Sequence, residues 1–387
     1  MKKSINTRTK YKIVGSDYSG QELRLATFIS QDKTLLDAYA HNKDAYAIIA
    51  SQVFSCPYED CLEFYPAGQK LNIDGKEVIA GNKTHLNPEG KARRSIGKVI
   101  VLASNYGMAG AGAGALMGKT AKEGTEILEK YFKMFPGVDN AIAQAKSALK
   151  KTGYVEGLYG RRRRLPDINL KPYEATYKDA TKLEKEIFNP FIDCQDRQFV
   201  DPLLNSYITR ANSCRSNKDY EALAKEAVLK GIILQANTGR IAQAERQCFN
   251  AQIQGSAGTL TKKAMIDIFN DEQLKEWDAN LIVTVHDEVL VECKAFYADK
   301  VAERLPELMI NAAQELGIDQ PKMKCDPYAV TRWYSEIWAG NLLKEFSKAK
   351  EKGLSREEAI EKVINNHIEL PKEAIIKTLE TGCDLEF

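Results

Sequence analysis

The chain lacks the features that would mark several large functional classes. It has no stretch of about 18 consecutive apolar residues, so nothing in it reads as a membrane-spanning helix. The N-terminus, MKKSINTRTKYK, is basic but has no apolar run of the kind a secretory signal needs. The eight cysteines are scattered without a CxxC pair or a Cys/His cluster, and only four histidines are present. Disulfides and structural zinc are therefore not expected, and reduced thiols in a cytoplasmic compartment are. There is no internal repeat. The net charge is only +2, so bulk charge identifies no partner. Nucleic-acid binding would have to come from local concentration, such as the consecutive Arg161, Arg162, Arg163 and Arg164.

What is present has globular proportions. The 387 residues are 44% hydrophobic and 28% charged, enough for two or three domains with substantial cores. The pattern predicts a strand over about 11–16 and helices over about 21–30 and 34–54. Prolines and glycines between Cys56 and Glu89 break any long element there, and IDGKEV reads as a short hairpin turn. Asn87–Pro88–Glu89 is a helix start, and that helix should run to about Tyr106. The glycine-dense GMAGAGAGALMG lacks both the GK[ST] ending and the preceding strand of a phosphate loop, so it reads as a flexible or tightly packed connection between helices. A helix with a break at Pro136–Gly137 follows, reaching about Lys151. The span from about 169 to 234 is polar and helix-prone, with no recognisable motif. Helices resume at about 240–270 and 297–316, and a surface helix with a capping box at Ser355–Glu358 lies in the Lys/Glu-rich tail.

Two places put charge where a stable core would not ask for it. Asp17 follows the apolar Ile13–Val14 and should end a buried strand. Asp287 lies between LIVTV and VLVEC, two strand-like runs split by His286–Asp287–Glu288, which reads as a hairpin with acids at its tip. An Asp just before a helix also serves as a cap; the second acid at 287 favours a metal role for Asp17. If the two strand ends adjoin, the carboxylates would hold two divalent cations about 3.5–4 Å apart, as in phosphoryl transfer. Mg²⁺ suits such a site, because it binds through one or two carboxylates and substrate phosphates.

DYSGQELR from Asp17, RRSIGKVIVLASNYG from Arg93 and VHDE from Val285 resemble motifs A, B and C of family A (polymerase I-like) DNA polymerases. GYVEGLYGRRRRLPDI from Gly153 and ERQCFNAQIQGSA from Glu245 agree, so five motifs in family order cover most of the chain from Tyr11 to about Trp338. The wording of DAYAIIAS and IAQAERQ is similar to bacteriophage members. The resemblance implies an α+β, right-hand polymerase fold with an antiparallel palm sheet and helical fingers. It places palm at 1–40, fingers at 41–240 with an insertion at about 169–234, and palm plus tail at 241–387. The implied reaction is template-directed transfer from a dNTP to a primer 3′-OH by two Mg²⁺ ions, in the cytoplasm, or a host's cytoplasm for a phage protein.

The resemblance assigns Asp17, the Tyr18 backbone carbonyl and Asp287 to the metals, with Glu288 tuning the site. Glu22 matches the position that packs under the sugar, although an acid in a helix's first turn is also ordinary. Gly20 and Gln21 replace a Gln-Ile pair, and Gly20 is expected to loosen the packing around Glu22. Arg94, Lys98, Leu102 and Tyr106 recur every four residues and so form one helix stripe. Arg94 and Lys98 would meet phosphates, Leu102 the sugar and base, and Tyr106 the templating position. The alternative is a solvated basic face, which the apolar run around Lys98 disfavours. Arg246, Asn250 and Gln254 share four-residue spacing and are implied contacts to primer and template, as is His286; the plainer alternative is one packed helix turn. The four arginines would form a basic loop against phosphates.

Relatives carry a thumb, and often an exonuclease domain, before motif A. With only 16 residues ahead of Asp17, three readings stay open: a split enzyme completed by a second chain that supplies them, one piece of an interrupted gene, or a fragment inactive alone; by itself this chain should bind primer-template DNA weakly. Single-subunit RNA polymerases share the Lys-to-Tyr-Gly helix but carry HDS rather than HDE. A non-catalytic DNA-binding subunit or an inactive fragment is the other alternative.

Overall fold

The computed structural model describes residues 5–6, 10–73, 76–81, 85–179, 201–330, 332–333, 339–351, 353–367 and 370–381. In chain order, the first part holds strand β1 (Tyr11–Tyr18), helices α1 (Gln21–Ser30), α2 (Lys33–Ala40) and α3 (Ala45–Phe54), and strands β2 (Lys70–Ile73) and β3 (Lys76–Ile79). Helices α4 (Pro88–Asn105), α5 (Gly110–Leu116), α6 (Ala121–Met134) and α7 (Pro136–Thr152) follow. Next come β4 (Tyr154–Glu156), β5 (Arg162–Arg164), β6 (Tyr173–Tyr177), α8 (Pro202–Asn212), α9 (Asn217–Leu229) and β7 (Ile232–Ala236). The chain continues through α10 (Thr238–Asn270), α11 (Glu272–Glu276), β8 (Asn280–Val285), β9 (Glu288–Lys294), α12 (Ala298–Glu315) and β10 (Cys325–Val330). It closes with α13 (Ala339–Glu351), α14 (Arg356–Asn366) and α15 (Lys372–Thr381).

Contacts divide the chain into two compact units. One comprises 1–104, 108–139 and 256–387; the other comprises 105–107 and 140–255. This division falls at other positions than 40 and 240, where the sequence suggested palm and fingers to meet. The first unit is built on an antiparallel sheet in the order β10-β1-β9-β8. As a central strand, β1 buries Ile13, Val14, Gly15 and Ser16 in succession, so its apolar run is continuous rather than alternating. Against the sheet packs α12, whose buried Val301, Leu305, Leu308 and Ala312 repeat at helical spacing. The buried Tyr18 hydroxyl donates to the Met309 carbonyl at 2.7 Å, tying strand to helix at the level of the site.

Several expectations change in detail. The helix expected over 34–54 is two, because the Asp44 carboxylate caps a fresh start by accepting from the backbone N–H groups of Tyr46 and Ala47. The glycine-dense segment is tightly packed but helical: α5 lies so close to α6 that a side chain at Gly124 would overlap the Gly110 carbonyl. The capping box at Ser355 is present, and the expected single tail helix is a cluster of three around Leu342, Val363, Leu370 and Ile375. Cys56 and Cys61 form no disulfide but share a thiol hydrogen bond with sulfurs 3.4 Å apart, and all six described cysteines are free.

In the second unit, the expected arginine loop is in part strand β5, paired with β4 in a small hairpin. The span read as an insertion contains a lobe in which β6 and β7 pair and carry α8 and α9. Its core is its own: Ala175, Leu204, Tyr207, Ala211, Leu223, Ala227, Ile232 and Leu234. At the neck, Tyr173 pairs with Ala236, and Asn237 donates to the carbonyls of Pro172 and Lys171. No helix among the described residues is long and apolar enough to cross a membrane.

Candidate active site

Asp17 lies near the end of β1 and does not cap the following helix. The N-cap of α1 is Gly20, in the left-handed region at φ 65°, with no side-chain cap bond. Glycine adopts that turn at no steric cost, so Gly20 has a conformational reason to be there. A Cβ at this position would meet nothing nearer than the Tyr46 hydroxyl at 4.0 Å, so the space beside the turn is open. Glu22 stands half-buried in the first turn of α1.

The sheet's register draws acids together. Across one strand border Asp17 is opposite Glu288, and across the other it is opposite Asp326. Directly opposed residues present their side chains on one face. Asp287 sits in the two-residue turn between β8 and β9, and its carbonyl accepts a long 3.4 Å bond from the Tyr18 N–H. His286, exposed in the same turn, has φ 59°. Partial burial, followed by the charges of Asp287, Asp326 and Glu288, pushes the Asp17 carboxyl up to about 6. The Tyr328 hydroxyl donates to Glu288 and holds it at the edge of the cluster. The Tyr328 ring lies across Gly15, where any Cβ would overlap it.

Three of the sequence-derived residues, Asp17, Asp287 and Glu288, are thus brought into electrostatic contact, with Tyr18 beside them. Asp326 was missed. It is the second residue of CDPYAV, and only the register connects it to Asp17. No set of three or more His, Cys, Asp or Glu side chains among the described residues is arranged to hold a metal by itself. Two carboxylates and a backbone carbonyl nevertheless suit Mg²⁺, whose remaining positions go to water and substrate phosphates. The raised carboxyl of Asp17 marks a surplus of negative charge that a cation would relieve.

On α4 the stripe is only partly uniform. Arg94 is about a quarter exposed, and its Nε donates to Asp44 at 2.6 Å. Burial opposes its charge, but Asp44 and then Glu63 more than offset this and hold the guanidinium above its ordinary value. Lys98 is exposed and makes no ion pair among the described residues, and Leu102 is half-buried. Gly97 lets α4 approach α3, since a Cβ there would overlap the Tyr46 carbonyl. Tyr106 groups with the second unit, where its hydroxyl accepts from Gln254 at 3.1 Å.

On α10, Arg246 and Gln254 are exposed, but Asn250 is buried, as are Ala244, Cys248, Phe249 and Ile253 of the same helix. The four-residue spacing therefore does not give three equally presented groups. All four consecutive arginines are exposed; Arg162 pairs with Glu156 at 3.0 Å and stacks on Tyr154.

The sequence model of DNA polymerase family A matches residues 1–63, 77–193 and 199–335. The chain is 26% identical over 303 residues to DNA polymerase I of Pseudomonas aeruginosa, covering 78% of this chain and 23% of that one. It is 24% identical over 322 residues to DNA polymerase I of Geobacillus stearothermophilus, covering 83% and 26%. The corresponding values for the thermostable DNA polymerase I of Thermus thermophilus are 25% over 302 residues, 78% and 25%. The chain thus spans about a quarter of the length of these relatives. In fold it is similar to the POL domain of Pol1 from M. smegmatis, solved with DNA primer-template and dNTP. That match has a TM-score of 0.55 and 20% identity over 85% of this chain and 41% of the other.

Proposed function

The chain belongs to DNA polymerase family A, and from that premise we propose that it transfers nucleotides from dNTPs to a primer 3′-OH under the direction of a DNA template. The observation that carries this reading is the acid cluster at the strand ends, where Asp17 is raised to about 6 by burial and by Asp287, Asp326 and Glu288. Strand ends gain no stability from crowded carboxylates, and a site for cations gives the crowding a purpose.

In this reading residues 1–40 and 241–387 serve as palm and 41–240 as fingers. Family members generally use divalent metals; here Asp17, the Tyr18 carbonyl and Asp287 would hold two Mg²⁺ ions. When bound, these ions would supply positive charge to the phosphoryl oxygens and favour ionisation of the primer hydroxyl. The chain's own part is mainly positioning and charge. Lys98, exposed and without a carboxylate partner among the described residues, offers its ammonium to the triphosphate. Arg94 offers a planar fork of donors. Leu102 packs on sugar or base, Tyr106 lies at the templating position, and Glu22 crowds a ribose 2′-hydroxyl. Arg161, Arg162, Arg163 and Arg164, together with Arg246 and Gln254, contact strand phosphates, and His286 approaches the primer end. Asn250, being buried, would serve by holding α10 in shape.

Primer extension by the purified chain tests the proposal. Incorporation should follow the template base and disappear in Asp17→Ala and Asp287→Ala while circular dichroism stays unchanged. Running the assay with lysate from the native source reads the contribution of a second, thumb-bearing chain. Extension undiminished in Asp287→Ala, or none under either condition, would overturn the reading.

A further inference from the structure

Arg94 has two carboxylates beside it, and they are held in different ways. Asp44 is fully committed. One carboxylate oxygen accepts the backbone N–H of Tyr46 at 2.9 Å and of Ala47 at 3.2 Å, capping α3. The other accepts Arg94 Nε at 2.6 Å. The Asp44 N–H donates to the Tyr58 hydroxyl at 2.8 Å, and the Tyr46 ring lies 5.2 Å from the guanidinium carbon. Moving Asp44 would uncap a helix and release a turn. Glu63 is held loosely. Its one oxygen is 3.5 Å from Arg94 Nη1, too far for a hydrogen bond, and the other is 3.0 Å from the half-exposed Lys91. Neither terminal nitrogen of Arg94 makes a hydrogen bond among the described residues. Arg94 and Glu63 both face a cavity of about 630 Å³, whose lining also includes Arg24, Lys43, Tyr46 and Lys324.

We propose that the two carboxylates act in opposite senses on nucleotide binding: Asp44 positions the Arg94 fork for the triphosphate, and Glu63 is a displaceable anion standing where a phosphate oxygen will go. The inference rests on the reading of Arg94 as a phosphate-binding residue. An Nε-bound carboxylate fixes the plane of a guanidinium while leaving both terminal nitrogens to a second, bidentate partner. A triphosphate brings more charge and more acceptor oxygens than one carboxylate, so it wins the exchange. Glu63 gives up only a 3.5 Å ion pair and keeps Lys91. In a purely structural network both carboxylates would act alike, and removing Glu63 would tighten binding no more than removing another nearby negative charge.

The test is titration calorimetry of the whole chain with dATP and with tripolyphosphate, in EDTA so that phosphate recognition is read without the acid cluster. Asp44→Ser keeps a capping side chain on α3 but cannot reach Arg94, and should weaken binding of both ligands by about tenfold, the value of one well-placed charged hydrogen bond. Glu63→Gln should tighten both by about threefold, a fraction of such a bond. Glu59→Gln, a nearby exposed charge away from Arg94, should change neither. Arg94→Ala separates the two levels of the argument. If it binds as wild type does, or if wild type binds neither ligand, the phosphate reading falls and the inference with it. If Arg94→Ala weakens binding while Glu63→Gln fails to tighten it, or Glu59→Gln tightens it equally, the inference alone falls. Unchanged binding in Asp44→Ser would likewise overturn it.

Discussion

Neutralising the central acid should make the metal-free protein more stable while removing its activity. In Asp17→Asn the raised carboxyl is gone. Its displacement from the ordinary 3.8 to about 6 corresponds to about 3 kcal/mol if taken whole, at about 1.36 kcal/mol per pKa unit. Asp17 is only half-buried, so solvent screening reduces this to roughly 1–1.5 kcal/mol. The sign follows from proton binding. Between pH 4 and 6 the folded chain holds the Asp17 proton more tightly than the unfolded chain, so native stability falls as pH rises through this window. Below it both states are protonated, and the penalty vanishes. Thermal melts followed by circular dichroism in EDTA should therefore show wild type and Asp17→Asn together at pH 3.5 and separated at pH 8. At about 2–4 °C per kcal/mol, the mutant should melt roughly 2–6 °C higher. Adding Mg²⁺ at pH 8 should raise wild type toward the mutant and leave the mutant where it was. Asp17→Asn melting at or below wild type at pH 8, or a gap that ignores pH, would refute the reasoning.

Three further outcomes follow from the geometry. Lys98→Ala should raise the dNTP concentration needed for half-maximal extension by about tenfold or more, the value of one charged hydrogen bond, and steady-state kinetics matching wild type would remove Lys98 from the substrate face. Gly15→Ala should cost about 1–3 kcal/mol by forcing the Tyr328 ring off the sheet, measured by urea unfolding. Replacing Arg161, Arg163 and Arg164 by Ala should weaken DNA binding and flatten the slope of log K against log salt by about 0.9 for each duplex phosphate no longer neutralised; fluorescence anisotropy across a salt series reads both.

The sequence disclosed what depends on near neighbours. Strand β1, the β8–β9 hairpin and helix α4 are visible because an apolar run, a turn and a proline start each act within a few residues. The pairing of Asp17 with the hairpin acids could be inferred because both runs end in carboxylates. Asp326 could not, since CDPYAV shows no alternation and its place beside Asp17 exists only through antiparallel register. Asp44 and Arg94 are likewise far apart in sequence and meet only because Gly97 lets α4 approach α3. The helix α5 was hidden by its own composition: glycines lower helix propensity, and close packing on α6 overrides that tendency. Regular spacing misled in the opposite direction at Asn250. Four-residue steps place Asn250 between the exposed Arg246 and Gln254 on one stripe, so its burial follows from what covers that part of α10 and not from helix phase.

Within the second unit, the lobe between Tyr173 and Ala236 begins and ends at a single paired register. From the host's side, the two ends of the excursion are neighbours, so its length imposes almost no closure entropy on the rest of the chain. Evolution can lengthen, shorten or exchange such a module without re-registering any strand outside it. An engineer can do the same with any small domain whose termini lie one strand spacing apart. With its own apolar centre, the lobe is also free to open as a separate cooperative unit, and its amides would exchange with solvent on a schedule distinct from those of the antiparallel sheet.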